Sequence, residues 1–224
     1  MPPAPLPTQL DQLCTLLGTM GDCTATALRD ATAALLQDRE RLAEQVIAGH
    51  RDIQAMRAEV EEIATDALLF HQPVAGDLRA VVSAIRTAGD IERMGALVRH
   101  VAQVVVRGRK LPAEVHDDLA QMGAVAVRLG RKAAEVVRTR NVLLAVELDS
   151  DDDAMDELHL RMFEVLMDPG WRHGIPAAVD VTLLARYYER FADHAVTVAH
   201  ATVYAVTARN RTRSPSEVVS GEPC

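Results

Sequence analysis

"IERMGALVRHVA" at residues 91–102 and "YERFADHAVTVA" at residues 188–199 are two versions of one phrase. Glu92 aligns with Glu189, Arg93 with Arg190, and Val101 and Ala102 with Val198 and Ala199, an offset of 97 residues in each case. Upstream, "HRDIQAM" (50–56) stands where "DDAMDEL" (152–158) stands, at an offset of about 102. An internal period of this length predicts two copies of one supersecondary unit, and two copies fill the 224 residues without a linker domain. The competing reading is a pair of unrelated helical hairpins with chance similarity.

The segments around the phrase read as long helices. Only Pro73 and Pro112 interrupt the chain between Thr8 and Asp168, and strand signals are absent. Residues 8–36 place Leu10, Leu13, Leu17, Met20, Leu28, Ala31 and Leu35 at helical spacing. "QDRE" breaks this helix, with Asp38 as the expected N-cap of the next, which runs to about Phe70. Pro73 opens a third helix to about Val106, and "RGRKLP" is a loop. The second half repeats the plan: about Pro112 to Arg138, then a helix capped by Asn141 and ending near "DPGWRHGIP", then Pro176 to about Ala208. The expected class is all-α, a tandem of two antiparallel three-helix bundles over residues 8–108 and 112–208. The polar segment 209–224 carries two prolines and reads as a disordered tail.

Composition narrows the function. Hydrophobic residues make up 49% of the chain but aromatics only 3%, so Ala, Val and Leu build the core, as suits close-packed helices. A net charge of -8 argues against nucleic acid as a partner and is compatible with a cation site. Cys14, Cys23 and Cys224 form neither a disulfide framework nor a CxxC zinc pattern, which indicates a reducing compartment. "MPPAPLPTQL" lacks the basic and apolar regions of a signal peptide, and no apolar run reaches membrane-spanning length. A cytoplasmic protein is expected.

The chemistry is concentrated in the second repeat. Asp152 and Asp156 stand four apart, as do Glu189 and Asp193, so each pair shares one helix face. If the two helices are antiparallel neighbours, four carboxylates converge, and they repel unless protonated or bridged by a cation. Oxygen-rich sites suit iron, zinc, magnesium or manganese. His159 and His194 are nearby nitrogen donors. The plainer reading is a solvated acidic face with an Arg186–Glu189 ion pair. In the first repeat the matching positions are His50, Gln54, Glu92 and Ala96, with one carboxylate among four. His50 and Glu92 are therefore weaker candidates, and a salt bridge from Glu92 to Arg79 or to the neighbourhood of Arg93 is the plainer account. No GxxxxGK[ST], GxSxG or HExxH motif occurs, so no catalytic constellation is expected.

At these residues the chain resembles the PhoU family, and in particular its actinobacterial PhoY members. The motifs that carry the resemblance are "QPVAGDLR" (72–79), "ERMGA" (92–96), "DDAMDELH" (152–159), "WRHG" (171–174) and "ERFADHA" (189–195), and it spans about residues 8–208. It implies the tandem three-helix fold and a multinuclear iron or zinc cluster bound through E(D)xxxD motifs. Carried over, those motifs fall on Asp152, Asp156, Glu189 and Asp193, while the first repeat departs from them at His50, Gln54 and Ala96. The resemblance further implies a non-enzymatic regulator that holds the phosphate-starvation response off when phosphate is plentiful. It would link the phosphate ABC transporter ATPase to a sensor histidine kinase, with "QPVAGDLR" as a docking element or, on the plainer reading, a helix cap with a local Asp77–Arg79 interaction. A homodimer is expected. The alternative is a metal-dependent enzyme or metal-storage protein built on the same carboxylates.

Overall fold

The structure, a computed structural model, describes residues 4–212. Six long helices account for nearly all of it: α1 (Leu6–Leu36), α2 (Glu40–His71), α3 (Ala75–Val106), α4 (His116–Thr139), α5 (Val142–Met167) and α6 (Gly174–Thr212). A 3-10 turn, Ala113–Val115, leads into α4, and no strand occurs among the described residues. The all-α reading and its six helices hold. The tail expected at 209–224 is met by an α6 that continues to Thr212, and the rest of that segment lies outside the described residues.

Local chemistry sets the helix ends. Asn141 is the N-cap of α5, its side chain accepting from the N–H groups of Leu143 and Leu144 at 3.0 and 3.3 Å. Asp38 does not cap α2 as expected. It sits at φ +49 in the turn, and Arg39 holds the cap position without a side-chain bond. The QPVAGDLR turn breaks α2 from α3 with two left-handed residues, Gln72 (φ 45) and Ala75 (φ 47), so α3 begins two residues after Pro73.

Each trio packs on itself, α1 and α3 against α2, and α4 and α6 against α5. The trios then join along two seams, α1 on α4 and α3 on α6. Both seams run antiparallel: Asp90 meets His194 while His100 stacks on Tyr187, and Arg138 meets Asp22 while Arg140 meets Asp11. The outcome is a pseudo-two-fold body with α2 and α5 on opposite flanks. Close approach on the α1–α4 seam depends on small residues, since a Cβ on Gly21 would fall 2.9 Å from Ala134 Cβ and one on Gly123 would fall 2.7 Å from Thr32 Cγ2. Tyr188, Phe191 and Ala195 fill the core between the trios, and the Tyr188 hydroxyl is 2.9 Å from that of Thr32. This is the face of α6 opposite its acids.

The outer helices α2 and α5 show a seven-residue rhythm that matters for the site. In α2 the inward positions are 43, 46, 50, 53, 57, 60, 64 and 67; all are buried apolar residues except His50 and Arg57. In α5 the rhythm is 145, 148, 152, 155, 159 and 162, and Asp152 and His159 are its polar members. At the 102-residue offset these are the same two positions.

A candidate metal centre on the second repeat

The α5–α6 packing brings the four carboxylates of the second repeat within reach of one another's fields. Asp152 is half-buried on the inward edge of α5, and its carboxyl is pushed up to about 6. Burial is the largest cause, followed by the charges of Asp156, Asp193, Glu189 and Asp153. Glu189 is also raised, by burial and then by Asp193, against the opposing pull of Arg186 and His159. Asp156 and Asp193 stand exposed at the rim. The four carboxylates thus lie near enough across α5 and α6 for Asp156, Asp193 and Glu189 to raise Asp152.

The plainer features are present as well. Arg186 donates to Glu189 Oε1 one turn away, which is the ion pair the solvated-face reading expects. Lys132 from α4 is taken by Glu147 and Asp151, at 2.8 and 2.9 Å, and so lies outside the patch. His194 faces away from the acids, its Nδ1 3.4 Å from Asp90 of α3. As a nitrogen donor for this patch it drops out, because α6 turns it onto the seam between repeats.

In this patch two buried atoms have no hydrogen-bond partner among the described residues, Glu189 Oε2 and His159 Nε2; elsewhere Gln9 Oε1, Arg99 Nε and, on the first repeat, His50 Nδ1 share that state. Buried polar atoms are ordinarily satisfied, and a carboxylate oxygen has no proton to share. An anionic oxygen, a nearby imidazole nitrogen and three further carboxylates form a donor set suited to a hard or borderline cation. The donor chemistry thus fits a metal. The side chains are not drawn into a ready cage: among the described residues, no three Asp, Glu, His or Cys groups are gathered closely enough to hold an ion as they stand.

The first repeat handles the corresponding carboxylate differently. Glu92, whose side chain is 18% exposed, has His50 Nε2 at 3.4 Å from Oε1 and Arg57 Nη1 at 3.4 Å from Oε2. Arg57 also donates through Nε to Glu61 Oε1 at 2.9 Å. The pairing expected with Arg79 or near Arg93 is not the one formed; Arg93 turns to Asp90 at 3.1 Å. Sequence reasoning missed Arg57. The signal was present in the rhythm of α2, where a cation occupies an inward position. His50 is buried and its pKa lowered, first by desolvation and then by Arg99, so at neutral pH it is an uncharged ring wedged against Gly95.

A half-open cavity of about 310 Å³ lies elsewhere, where α1, α3, α4 and α6 meet beside Cys14 and Arg140. The four carboxylates take no part in it.

A family model described as "PhoU domain" matches residues 17–105 and 119–202, one match per trio. The chain is 50% identical over 202 residues to the phosphate-specific transport system accessory protein PhoU homolog 2 of Mycobacterium tuberculosis, covering 89% of this chain and 95% of that one. It is 44% identical over 202 residues to the PhoU homolog 1 of the same organism, covering 89% and 91%. The crystal structure of PhoU from Pseudomonas aeruginosa superposes with a TM-score of 0.82 at 23% identity, covering 91% of this chain and 99% of that one.

Proposed function

The chain belongs to the PhoU family, and on that footing we propose that it is a negative regulator of phosphate uptake and of the phosphate-starvation response. It acts as a non-catalytic cytoplasmic adaptor that contacts the phosphate ABC transporter ATPase and a sensor histidine kinase. The observation that carries this reading is the near full-length similarity to proteins named as phosphate-specific transport system accessory proteins. No helix among the described residues is long and apolar enough to cross a membrane, in keeping with an accessory role.

The acidic patch supplies the adaptor's cation site in this reading. Asp152, Asp156, Glu189 and Asp193 hold iron or zinc, with His159 the adjacent nitrogen donor. A bound cation neutralises carboxylates that otherwise repel one another and fixes the outer face of α5 against α6. Glu189 orients through Arg186, and the orphaned Oε2 supports its assignment as a ligand. The QPVAGDLR turn is a docking element, supported by the exposed Leu69, Phe70, Val74 and Leu78 around it. The protein works as a homodimer.

The test is genetic and biochemical. In a strain lacking the protein, a starvation reporter is expected to stay on in high phosphate, and the wild-type chain to restore repression. Affinity capture from phosphate-replete cells is expected to recover the transporter ATPase or the kinase. A deletion strain whose reporter stays off would overturn the adaptor reading.

A further inference from the structure

The two repeats place an acid at the same point, Glu92 and Glu189, and treat its two oxygens differently. Around Glu92 both oxygens are engaged, Oε1 by His50 and Oε2 by Arg57. Around Glu189 only Oε1 is engaged, by Arg186, and Oε2 is buried without a partner. The arginines come from different helices. Arg57 sits on α2 at the position of His159 on α5, whereas the α3 position matching Arg186 is Gly89, which offers no side chain.

We infer that Arg57 is the built-in cation of the first repeat, taking opposite Glu92 the place that a metal ion takes opposite Glu189. Its guanidinium bridges Glu92 and Glu61, at 3.4 and 2.9 Å, which is the bridging duty of a cation between carboxylates. It is covalently held, so it has no dissociation equilibrium and responds to no metal supply. Missing acids at Gln54 and Ala96 follow from the same logic: one positive charge already offset by Glu92 and Glu61 leaves no surplus for more carboxylates. A metal ion entering here would meet the guanidinium's charge and would have to displace it. The chain therefore carries a single cation-responsive flank, the α5–α6 side, while the α2–α3 side keeps its shape whatever the metal supply. The second half of this inference rests on the metal reading above; the role of Arg57 does not.

Two measurements on the full-length chain separate these parts. In chelator, Arg57→Met and Glu92→Gln are each expected to lower Tm by about 2–4 °C. The double variant is expected to fall by clearly less than the sum of the singles, because the Arg57–Glu92 contact is lost in both, while Arg57–Glu61 and His50–Glu92 are each lost in one. Additive losses would overturn the role of Arg57. The reciprocal swap, His159→Arg, leaves all four carboxylates in place and puts the first repeat's cation into the second. It is expected to abolish the rise in Tm that zinc or manganese chloride gives the wild type, and to raise Tm in chelator. A His159→Arg chain that keeps the wild-type rise, or that gains no Tm in chelator, would overturn the equivalence, since losing a metal-ligating imidazole alone removes the rise without stabilising the metal-free chain; His159→Lys serves if the arginine variant does not fold. A wild type with no metal-induced rise contradicts the metal reading itself, and the coupling of Arg57 to Glu92 is then judged by the metal-free cycle alone.

Discussion

α2 and α5 occupy equivalent flanks of one pseudo-symmetric body, yet they use their two polar inward positions in opposite ways. α2 places His50 and Arg57 there, and both oxygens of Glu92, the acid that the two share, are partnered within the protein. α5 places Asp152 and His159 there, and the acids around them are left with excess negative charge and an unpartnered oxygen. The same fold thus carries one flank that is electrostatically closed and one that is open. The difference teaches that the repeat conserves the shape of the site within the chain but not its charge, and charge decides what each site can hold.

The sharpest way to break this comparison is to remove the cation. If the open flank binds metal at about 100 times its dissociation constant, binding contributes roughly 2.7 kcal/mol. Chelation should then lower Tm by about 5–10 °C in a chain of this size. Asp152→Asn combined with Glu189→Gln should abolish that shift, read by calorimetry with and without chelator. Equal shifts in both proteins would remove the open flank as the source.

A second prediction uses the acids alone, in metal-free protein. Burial and the neighbouring carboxylates push the folded Asp152 carboxyl up to about 6, above its unfolded value of about 3.9. The stabilisation from its protonated form is therefore fully present below about pH 4 and lost as pH rises through 6. Glu189, also raised, acts in the same sense. His50 and His194, lowered in the fold, act in the opposite sense: their contribution is present above about 6.5 and lost as pH falls. Overall stability mixes these effects, so the comparison with Asp152→Asn isolates the carboxyl. The variant should match the wild type at pH 4 and exceed it by roughly 1 kcal/mol at pH 7.5, after allowance for solvent screening. A gap independent of pH would show that Asp152 does not feel its neighbours.

A smaller effect compares the two helix starts. Asn141→Ala should cost about 1 kcal/mol, since α5 loses a side-chain cap, while Arg39→Ala should change little because α2 has none. Replacing Arg39 with Ser should recover part of that difference for α2, as measured by urea denaturation.

Much of this was legible in the residues. The 97-residue echo, the scarcity of proline and the Leu and Ala spacing predict six helices in two trios, and Asn141 signals its own cap. The acid pairs of the second repeat are visible because four-residue spacing fixes a shared face. What sequence could not settle was partner choice among long side chains. Glu92 had several arginines within plausible reach, and only the packing of α2 on α3 selects Arg57 over Arg79. Likewise His194 lies beside Asp193 in sequence but is turned onto the α3 seam, because the residues next to it on α6 alternate between core and patch. Asp38 failed as a cap because the tight turn needed a left-handed residue at that place, which an aspartate tolerates.

The proposed metal centre lies on one flank only. The most direct test is elemental analysis of full-length protein purified under metal-replete conditions, comparing wild type, Asp152→Asn with Glu189→Gln, and Glu92→Gln. The second-repeat variant is expected to lose its metal and Glu92→Gln to keep the wild-type amount. Unchanged metal in the second-repeat variant, or loss in Glu92→Gln alone, would contradict that placement.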